Sequence, residues 1–441
     1  MKVEGAQVVV VGMARSGRAA IELLQEHGAQ VRAVDQNPIP VMVRGQSMQV
    51  ESQTPAAFRN ADLVVLSPGV PADLPALEAI RQRGIPVVGD LELASWFLQG
   101  KVIGITGSNG KTTTTALTGH ILRSAEIPVQ VGGNIGTAPS SMVQSSKEDQ
   151  WNVLELSSFQ LETIHTFRAN VAAILNITPD HLDRHHTMEK YAAAKGRVFE
   201  NQATDDSAVL NADDSTCAQY HPPGRTLWFS TSHRCDAGAF LDGDSLRLSG
   251  ELLMNIAEIP LRGMHNVENA MAAAVMAQLA GATHSQISAA IASFTGVEHR
   301  LEFVRELNGV KWYNDSKATN VDATLKAIAA FEGGLWVILG GKDKNSDYTA
   351  LAEPLKHKAR GVLLIGAASR KIEEQLGGTV VVQQMGTLPS AVGRVAGLAQ
   401  SGDTVLLAPA CASFDQFENF EHRGREFKRL VRELKETPWR G

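Results

Sequence analysis

The sequence predicts an α/β protein of three domains, organised on mostly parallel sheets. Three observations carry the prediction. Short aliphatic and β-branched runs recur along the chain with helix-length segments between them, the alternation that builds parallel sheets covered by helices. Two of these runs, Gln7 to Val11 and Val102 to Ile105, pass into glycine turns followed at once by helix-compatible sequence. The length of 441 residues corresponds to about three domains at ~150 residues each.

Composition narrows the class. Hydrophobic residues make up 44% and charged residues 20%, which suits a globular chain with a large core. A net charge of −6 without a Lys/Arg block argues against a nucleic-acid surface. No apolar run approaches the ~18 residues that a membrane span needs. The three cysteines, Cys217, Cys235 and Cys411, lack C-x-x-C spacing, so a reducing compartment without a structural metal is expected. The apolar N-terminal run leads into a glycine turn rather than a cleavage site, so it reads as a strand. A cytoplasmic protein is expected.

Gln7 to Val11 is followed by Gly12-Met-Ala-Arg-Ser-Gly17, a helical stretch to about His27, and a strand from Val31 to Val34 that ends in Asp35. This is a Rossmann-like β-α-β start with an acid at the second strand's end. The spacing is G-x-x-x-x-G rather than G-x-G-x-x-G, so the nicotinamide signal is weak. A nucleotide or nucleotide-sugar site and a purely structural turn both stay open. Ala61 to Leu66 is the next strand, and Ser67-Pro-Gly-Val70 turns at its carboxyl end, where open α/β sheets bind ligands. Ile85 to Val88 is a further strand.

The central domain opens with Val102-Ile-Gly-Ile-Thr-Gly-Ser-Asn-Gly-Lys-Thr-Thr113. Strand, glycine turn, Lys-Thr and helix (112 to 124) make a phosphate loop of the P-loop type. Backbone N–H groups and the helix N-terminus favour an anion. Lys111 is placed to reach the β/γ-phosphates and Thr112 to ligate Mg²⁺. The strict motif wants glycine at 105, where Ile105 stands, so the usable glycines are Gly107 and Gly110.

Gly132-Gly-Asn-Ile-Gly136 is a glycine-dense turn bearing Asn134. Glu155 lies inside an apolar strand, where a carboxylate is costly unless it binds a cation or pairs with a buried Lys or Arg. Mg²⁺ fits the first alternative, since it takes one or two carboxylates plus phosphate oxygens. Ala172 to Ile177 reads as a strand, followed by Asp180, His181 and Asp183. His181 is either a metal ligand or structural. Lys195 lies on a helix, 191 to 197, and on its own reads as a solvated surface lysine. Asn266 and Asn269 share a face of an Ala-rich helix running to Ala280.

Residues 291 to 303 read as a junction. The third domain places a short strand before Asn314-Asp-Ser-Lys-Ala-Thr-Asn320, a polar cluster dense enough to read as a site. Leu335 to Leu339, Gly361 to Ile365, Thr379 to Val382 and Thr404 to Leu407 read as strands of a second doubly wound sheet. Polar loops follow two of them, Gly340 to Asp347 and Pro409 onward. Cys411 reads as a small packing residue.

Taken together, these motifs resemble the Mur ligase family. The carriers are TGSNGKTTTT (106–115), GGNIG (132–136), LELSSFQLE (154–162), LNITPDHLDRH (175–185), HNVENA (265–270), HR (299–300), NDSKATN (314–320), LGGKDK (339–344) and PACASFDQF (409–417). The resemblance covers nearly the whole chain and favours the D-glutamate-adding member of the family. It implies a Rossmann-like domain for UDP-sugar at 1–93, a P-loop ATPase domain binding ATP and Mg²⁺ at 94–297, and a Rossmann-like domain at 298–441 that binds the amino acid and closes on ATP. The implied reaction phosphorylates the carboxylate of UDP-N-acetylmuramoyl-L-alanine and lets the amine of D-glutamate displace the phosphate.

Roles follow by the same resemblance. Gly107, Ser108, Asn109, Gly110, Lys111, Thr112 and Thr113 would hold the phosphates of ATP. Asn269 and Arg300 would contact ATP, with Asp315 near its ribose and Lys317 near its phosphates. Ser16, Asp35, Gly69 and Asn134 match positions around the UDP-sugar. Thr319, Lys344, Ser413 and Phe420 match positions around D-glutamate. Thr112 and Glu155 would hold one Mg²⁺, and His181 with a carbamylated Lys195 a second. Lys111, His181 and Lys195 would be catalytic. Nucleic acid, a membrane span and a stable oligomer are not expected. The family often carries Thr-Arg after the acid of the second strand; here Gln36 and Asn37 follow Asp35, which removes a bidentate anion contact. Lys342 or Lys344 on the glutamate side and Arg15 at the diphosphate are the candidate substitutes. A folate-type ligase, a nicotinamide oxidoreductase and a phosphate-loop binding module are the rival readings.

Overall fold

A computed structural model describes residues 3–235 and 237–435. The chain forms two compact units. The first comprises the residues up to Ile177 together with Thr187–Glu258 and Glu268–Ala292; the second comprises Thr178–His186, Ile259–Val267 and the residues from Ser293 onward.

The first unit holds two sheets. Its N-terminal sheet has five parallel strands in the order Val50–Ser52, Gln30–Asp35, Gln7–Val11, Leu63–Leu66, Val87–Gly89. Val8 to Val11 and Leu63 to Leu66 are buried throughout, as strands covered on both faces must be. The helix Arg15–Glu26 turns Ala19, Ala20, Ile21, Leu23 and Leu24 inward, the 3.6-residue spacing of an amphipathic helix.

The second sheet has nine strands. Val129–Gly133, Trp151–Glu155, Lys101–Thr106, Val171–Ile174, Ser207–Asn211, Arg225–Ser230 and Gly238–Asp242 run parallel, and Ser245–Leu248 and Glu251–Asn255 continue as antiparallel edge strands. Lys101–Thr106 lies between Trp151–Glu155 and Val171–Ile174. The chain moves to one side of this strand first and to its other side afterwards. That makes its carboxyl end the topological switch point, where open α/β sheets bind ligands.

The second unit is built on six strands in the order Glu302–Leu307, Val310–Asn314, Thr404–Leu407, Leu335–Gly340, Ala359–Ile365, Val382–Gly386, all parallel except the first pair. The helix Phe420–Glu433 seals one face with Phe427 and Val431, which join Trp312, Ile338 and Leu407 in the core.

Three expectations need correction. The strand expected at 379 to 382 is Val382–Gly386. Gly377 and Gly378 both adopt positive φ and prolong the preceding helix's turn, so the strand begins later. The run 172 to 177 leaves the sheet after Ile174, because Asn176 is spent on the phosphate loop. The junction near 300 contains an edge strand, Glu302–Leu307. Its charges at Glu302, Arg305 and Glu306 hide a strand signal, as is usual at protected edges.

Candidate active site

The phosphate loop is shaped by glycine geometry. Gly107 and Gly110 have φ of +144° and +85°. A Cβ on Gly110 would lie 2.2 Å from Asn269 Oδ1, so only glycine is tolerated there. The helix Lys111–Ser124 starts at this turn and directs its first N–H groups at the loop. Ser108, Asn109, Thr112 and Thr113 are buried, and Gly110 and Lys111 are partly so. Lys111 Nζ folds back and donates to the carbonyls of Gly107 and Ser108, both at 2.7 Å.

Side chains from the segment after strand Val171–Ile174 and from the helices Met264–Leu279 and Met188–Gly196 brace the loop. Asn176 Oδ1 accepts from Asn109 N at 2.9 Å and its Nδ2 donates to Asn109 O at 3.1 Å. Asn269 Oδ1 accepts from Thr114 Oγ1 at 3.2 Å. Ser108 Oγ lies 3.1 Å from Tyr191 Oη. Neither Asn176 nor Tyr191 was a candidate from the sequence. Tyr191 had a usable signal: it stands four residues before Lys195, hence on the same helix face.

Glu155 is buried at the end of its strand. Its Oε2 accepts from Thr112 Oγ1 at 2.7 Å and its Oε1 from Asn134 Nδ2 at 3.1 Å. Gly133, at φ +107°, lets the GGNIG turn press on Glu155; a Cβ there would sit 2.2 Å from the Glu155 carbonyl. Asn134 N donates to that carbonyl at 2.8 Å. Asn134, a candidate for the UDP-sugar, is therefore held at Glu155. Two hard oxygen donors at the mouth of a phosphate loop form a donor set that fits Mg²⁺.

Lys195 overturns the reading taken from its helix alone. It is 1% exposed, not solvated. Its Nζ donates to Gly107 O at 2.9 Å and lies 4.6 Å from the centre of the Tyr191 ring. The helix Met188–Gly196 presents Tyr191, Ala194 and Lys195 inward, so the lysine reaches the phosphate loop itself.

The N-terminal candidates cluster around the first glycine turn. Asp35 accepts from Met13 N at 2.7 Å and Asn37 N at 2.9 Å and so braces the turn. Ser67 Oγ donates to Gly12 O at 2.7 Å. Ser16 is partly buried in the first turn of the following helix, while Gly69 is exposed with open space around it. Arg15 is exposed and its Nη2 lies 3.4 Å from Asn134 O.

The remaining candidates belong to the second unit. Thr178, Asp180, His181, Asn320, Asp322 and Lys344 line a cavity of about 450 Å³. Lys344 Nζ is 3.6 Å from Asp180 Oδ1, Asn320 Nδ2 donates to Asp180 Oδ2 at 3.0 Å, and His181 Nε2 lies 3.5 Å from the same oxygen. His181 takes a left-handed backbone, φ +53°. The Asp183 side chain falls outside the described residues. Arg300 Nη1 pairs with Asp315 at 3.3 Å. Asp315 is fully buried; burial raises its pKa, and the Arg300 charge pulls it back only in part. Lys317 Nζ lies 4.8 Å over the Phe420 ring. Thr319 is partly buried and Ser413 buried. The Ser413 carbonyl caps the next turn by accepting from Phe417 N at 2.9 Å. Arg423, wholly buried, donates to the carbonyls of Ser316 and Cys411 and ties together the two loops that carry these residues.

Comparison with known proteins gives a consistent result over this geometry. Three family profiles match in succession: the Mur ligase MurD-like N-terminal domain at residues 6–89, the Mur ligase middle domain at 105–277 and the Mur ligase glutamate ligase domain at 299–411. The UDP-N-acetylmuramoylalanine–D-glutamate ligase of Solibacter usitatus is 58% identical over 98% of this chain and 99% of its own. The protein of the same name from Koribacter versatilis is 50% identical over 99% of both chains. Among solved structures, the UDP-N-acetylmuramate–alanine ligase of Thermotoga maritima shares the fold, with a TM-score of 0.64 at 19% identity over 98% of this chain and 100% of that one. The pseudomurein peptide ligase type C of Methanothermus fervidus also has a TM-score of 0.64, at 18% identity over 98% of this chain and 100% of its own.

Proposed function

The chain belongs to the Mur ligase family, and from that premise we infer that it joins D-glutamate to UDP-N-acetylmuramoyl-L-alanine at the expense of ATP, a step of peptidoglycan synthesis. The observation that carries the inference is 58% identity to a D-glutamate ligase across essentially the whole of both chains. The loop at 106–115 supplies the chemistry that such a ligase needs.

The reaction runs in two displacements. A carboxylate oxygen of the L-alanyl group attacks the γ-phosphorus of ATP, ADP leaves, and an acyl phosphate forms. The amine of D-glutamate adds to the acyl carbon, and the tetrahedral intermediate expels inorganic phosphate as the amide forms. The protein's part is to position and to neutralise charge. Lys111, released from the carbonyls of Gly107 and Ser108, neutralises the transferred phosphoryl group. The N–H groups at the start of the helix Lys111–Ser124 are fixed donors for phosphate oxygens. Thr112 and Glu155 would hold Mg²⁺, with Asn134 orienting the carboxylate. When bound there, Mg²⁺ supplies charge neutralisation to the phosphate oxygens.

For Lys195, buried with its Nζ on Gly107 O, we read carbamylation by CO₂, as the family resemblance implies. Carbamylation joins CO₂ to Nζ with loss of protons and turns the cation into an anion. One N–H remains on that nitrogen, so the bond to Gly107 O survives while two new oxygens are offered for metal ligation. Other roles rest on the correspondence of motifs: His181 and the Lys195 carbamate for a second Mg²⁺; Asn269, Arg300, Asp315 and Lys317 for ATP; Ser16, Asp35 and Gly69 for the UDP-sugar; Thr319, Lys344, Ser413 and Phe420 for D-glutamate. On the same footing we place domain boundaries near residues 94 and 298 and regard the enzyme as a cytoplasmic monomer. No helix among the described residues is long and apolar enough to cross a membrane.

Phosphate release from ATP and Mg²⁺ with UDP-N-acetylmuramoyl-L-alanine, measured against a panel of D- and L-amino acids, tests the reading. Release that requires D-glutamate is the expected result. Release with a different amino acid moves the specificity, and no release with any of them removes the function. Partial rescue of a Lys195→Ala variant by short carboxylic acids tests the carbamate; full activity of that variant without additives removes Lys195 from the site.

A further inference from the structure

We propose that Asp343, Tyr348 and Lys371 form a clamp that positions Lys344 against the loop bearing Ser413 and so sets the affinity for the acceptor amino acid. The proposal rests on the reading above that Lys344 and Ser413 serve that amino acid.

Two loops meet here by their backbones. Gly340 N donates to Pro409 O at 2.8 Å, Lys342 N to Ala412 O at 2.9 Å, and Ala412 N to Lys342 O at 3.1 Å. Gly341, at φ +139°, permits the approach, since a Cβ there would lie 2.2 Å from Ala412 O. The backbone pairing reaches Lys342, two residues short of Lys344. Beyond it the chain turns through Asn345 at φ +61°.

The Asp343 carboxylate gathers that turn. Its Oδ1 accepts from Ser346 N at 3.0 Å and Tyr348 Oη at 2.8 Å, and its Oδ2 accepts from Lys371 Nζ at 2.7 Å. Tyr348 is wholly buried in the core of this unit, so its hydroxyl is a fixed anchor. Its oxygen also lies 3.0 Å from Cys411 Sγ, on the Ser413 loop. An ionised carboxylate only accepts. The tyrosine proton therefore points to Asp343, and the Cys411 thiol donates to the tyrosine oxygen. Burial pushes the Cys411 pKa up to about 11, which keeps that proton in place. The directed chain runs from Cys411 through Tyr348 to Asp343, with Lys371 closing it from the helix Ser369–Leu376.

These are positioning residues, since none of them is assigned to substrate. Asp343→Asn removes the charge that Lys371 and Tyr348 both address, and Tyr348→Phe removes one hydroxyl while keeping the ring. The bonds weakened are to a charged acceptor, the stronger kind, so Asp343→Asn should raise the KM for D-glutamate roughly ten-fold or more. The KM values for ATP and UDP-N-acetylmuramoyl-L-alanine should stay unchanged. Tyr348→Phe should move the same constant in the same direction, and the double variant should be no worse than the more severe single one. An unchanged KM for D-glutamate, or an equal rise in all three constants, overturns the clamp. If Asp343→Asn fails to fold, Tyr348→Phe decides alone. If the wild-type enzyme turns over a different amino acid, the acceptor reading fails and the clamp is judged on that amino acid's KM. If it releases no phosphate at all, hydrogen exchange at residues 342–348 decides: the variants must speed it, and unchanged exchange overturns the clamp.

Discussion

Two carboxylates two positions apart, Asp90 and Glu92, are both withdrawn from solvent, with opposite consequences. Both lie in the short helix Asp90–Ser95. Burial raises the Asp90 pKa to about 6, against the pull of the Ser140 and Ser16 hydroxyls and the Arg15 charge. Burial also acts on Glu92, but the backbone N–H of His165, the Thr166 hydroxyl, Trp96 Nε1 and the N–H of Phe167 outweigh it and lower its pKa. The signs therefore differ. Asp90 favours the native state while protonated, so its ionisation costs stability as pH rises from about 4 through about 6, ~3 kcal/mol in full for a shift of about two units. Asp90→Asn should flatten that part of the pH–stability curve in urea denaturation and gain stability over wild type at pH 7. An unchanged curve would remove Asp90 as its source. Glu92→Gln turns an amide NH₂ against a nest of donors and should cost roughly 2–4 kcal/mol at neutral pH. That loss should shrink as the pH falls through the native Glu92 pKa, below 4.5. A loss independent of pH would point to packing instead. Neither residue was legible in the sequence, because most of the donors that fix Glu92, on His165, Thr166 and Phe167, stand more than seventy residues further on, and Ser140, which meets Asp90, stands fifty residues further on.

At the scale of the element, the phosphate loop was the most legible feature, because everything that forms it is local. The strand Lys101–Thr106, the glycines and the helix Lys111–Ser124 follow one another within two dozen residues, and each was expected where it stands. Its supports were less legible. Asn176, Asn269, Tyr191 and Lys195 reach the loop from elements far along the chain, and Lys195 read in its own helix suggested the opposite burial. Glycine identity is where the local and distant constraints meet. Gly110 is fixed both by its left-handed backbone and by Asn269 Oδ1 behind it. Gly110→Ala should therefore displace the loop by a fraction of an ångström or more and lower kcat by ~10²-fold, with little change in far-UV circular dichroism. Combining it with Asn269→Ala, which vacates the clashing atom, should relieve only the steric part. A Gly110→Ala enzyme with wild-type turnover would show that the loop conformation is not required for phosphoryl transfer.

Over the whole molecule, the repetition of strands and helices announced an α/β chain with largely parallel sheets, and strand Thr404–Leu407 fell where it was expected. The three domains expected from the sequence correspond to three successive family profiles; that the first two pack as one unit was not legible, since it depends on which faces are apolar toward one another. The N-terminal and nine-stranded sheets share one compact unit, joined where the helices Arg15–Glu26, Asp90–Ser95 and Pro139–Met142 pack together. That unit carries both the glycine turn once open to a nicotinamide reading and the phosphate loop, so ligand linkage on the intact chain separates the two. A ligand at a hundredfold excess over its Kd stabilises the native state by ~2.7 kcal/mol. ATP with Mg²⁺ should raise the thermal midpoint by a few degrees, and NADH should leave it unchanged. Lys111→Ala should fold normally, because its partly exposed side chain spans its own loop rather than the core. The variant should lose both the nucleotide-induced shift and phosphate release. A shift with NADH would return the first glycine turn to a dinucleotide role. A full ATP shift in Lys111→Ala would mean that binding is carried by the backbone N–H groups alone, leaving the lysine to act only on the charge that develops during transfer.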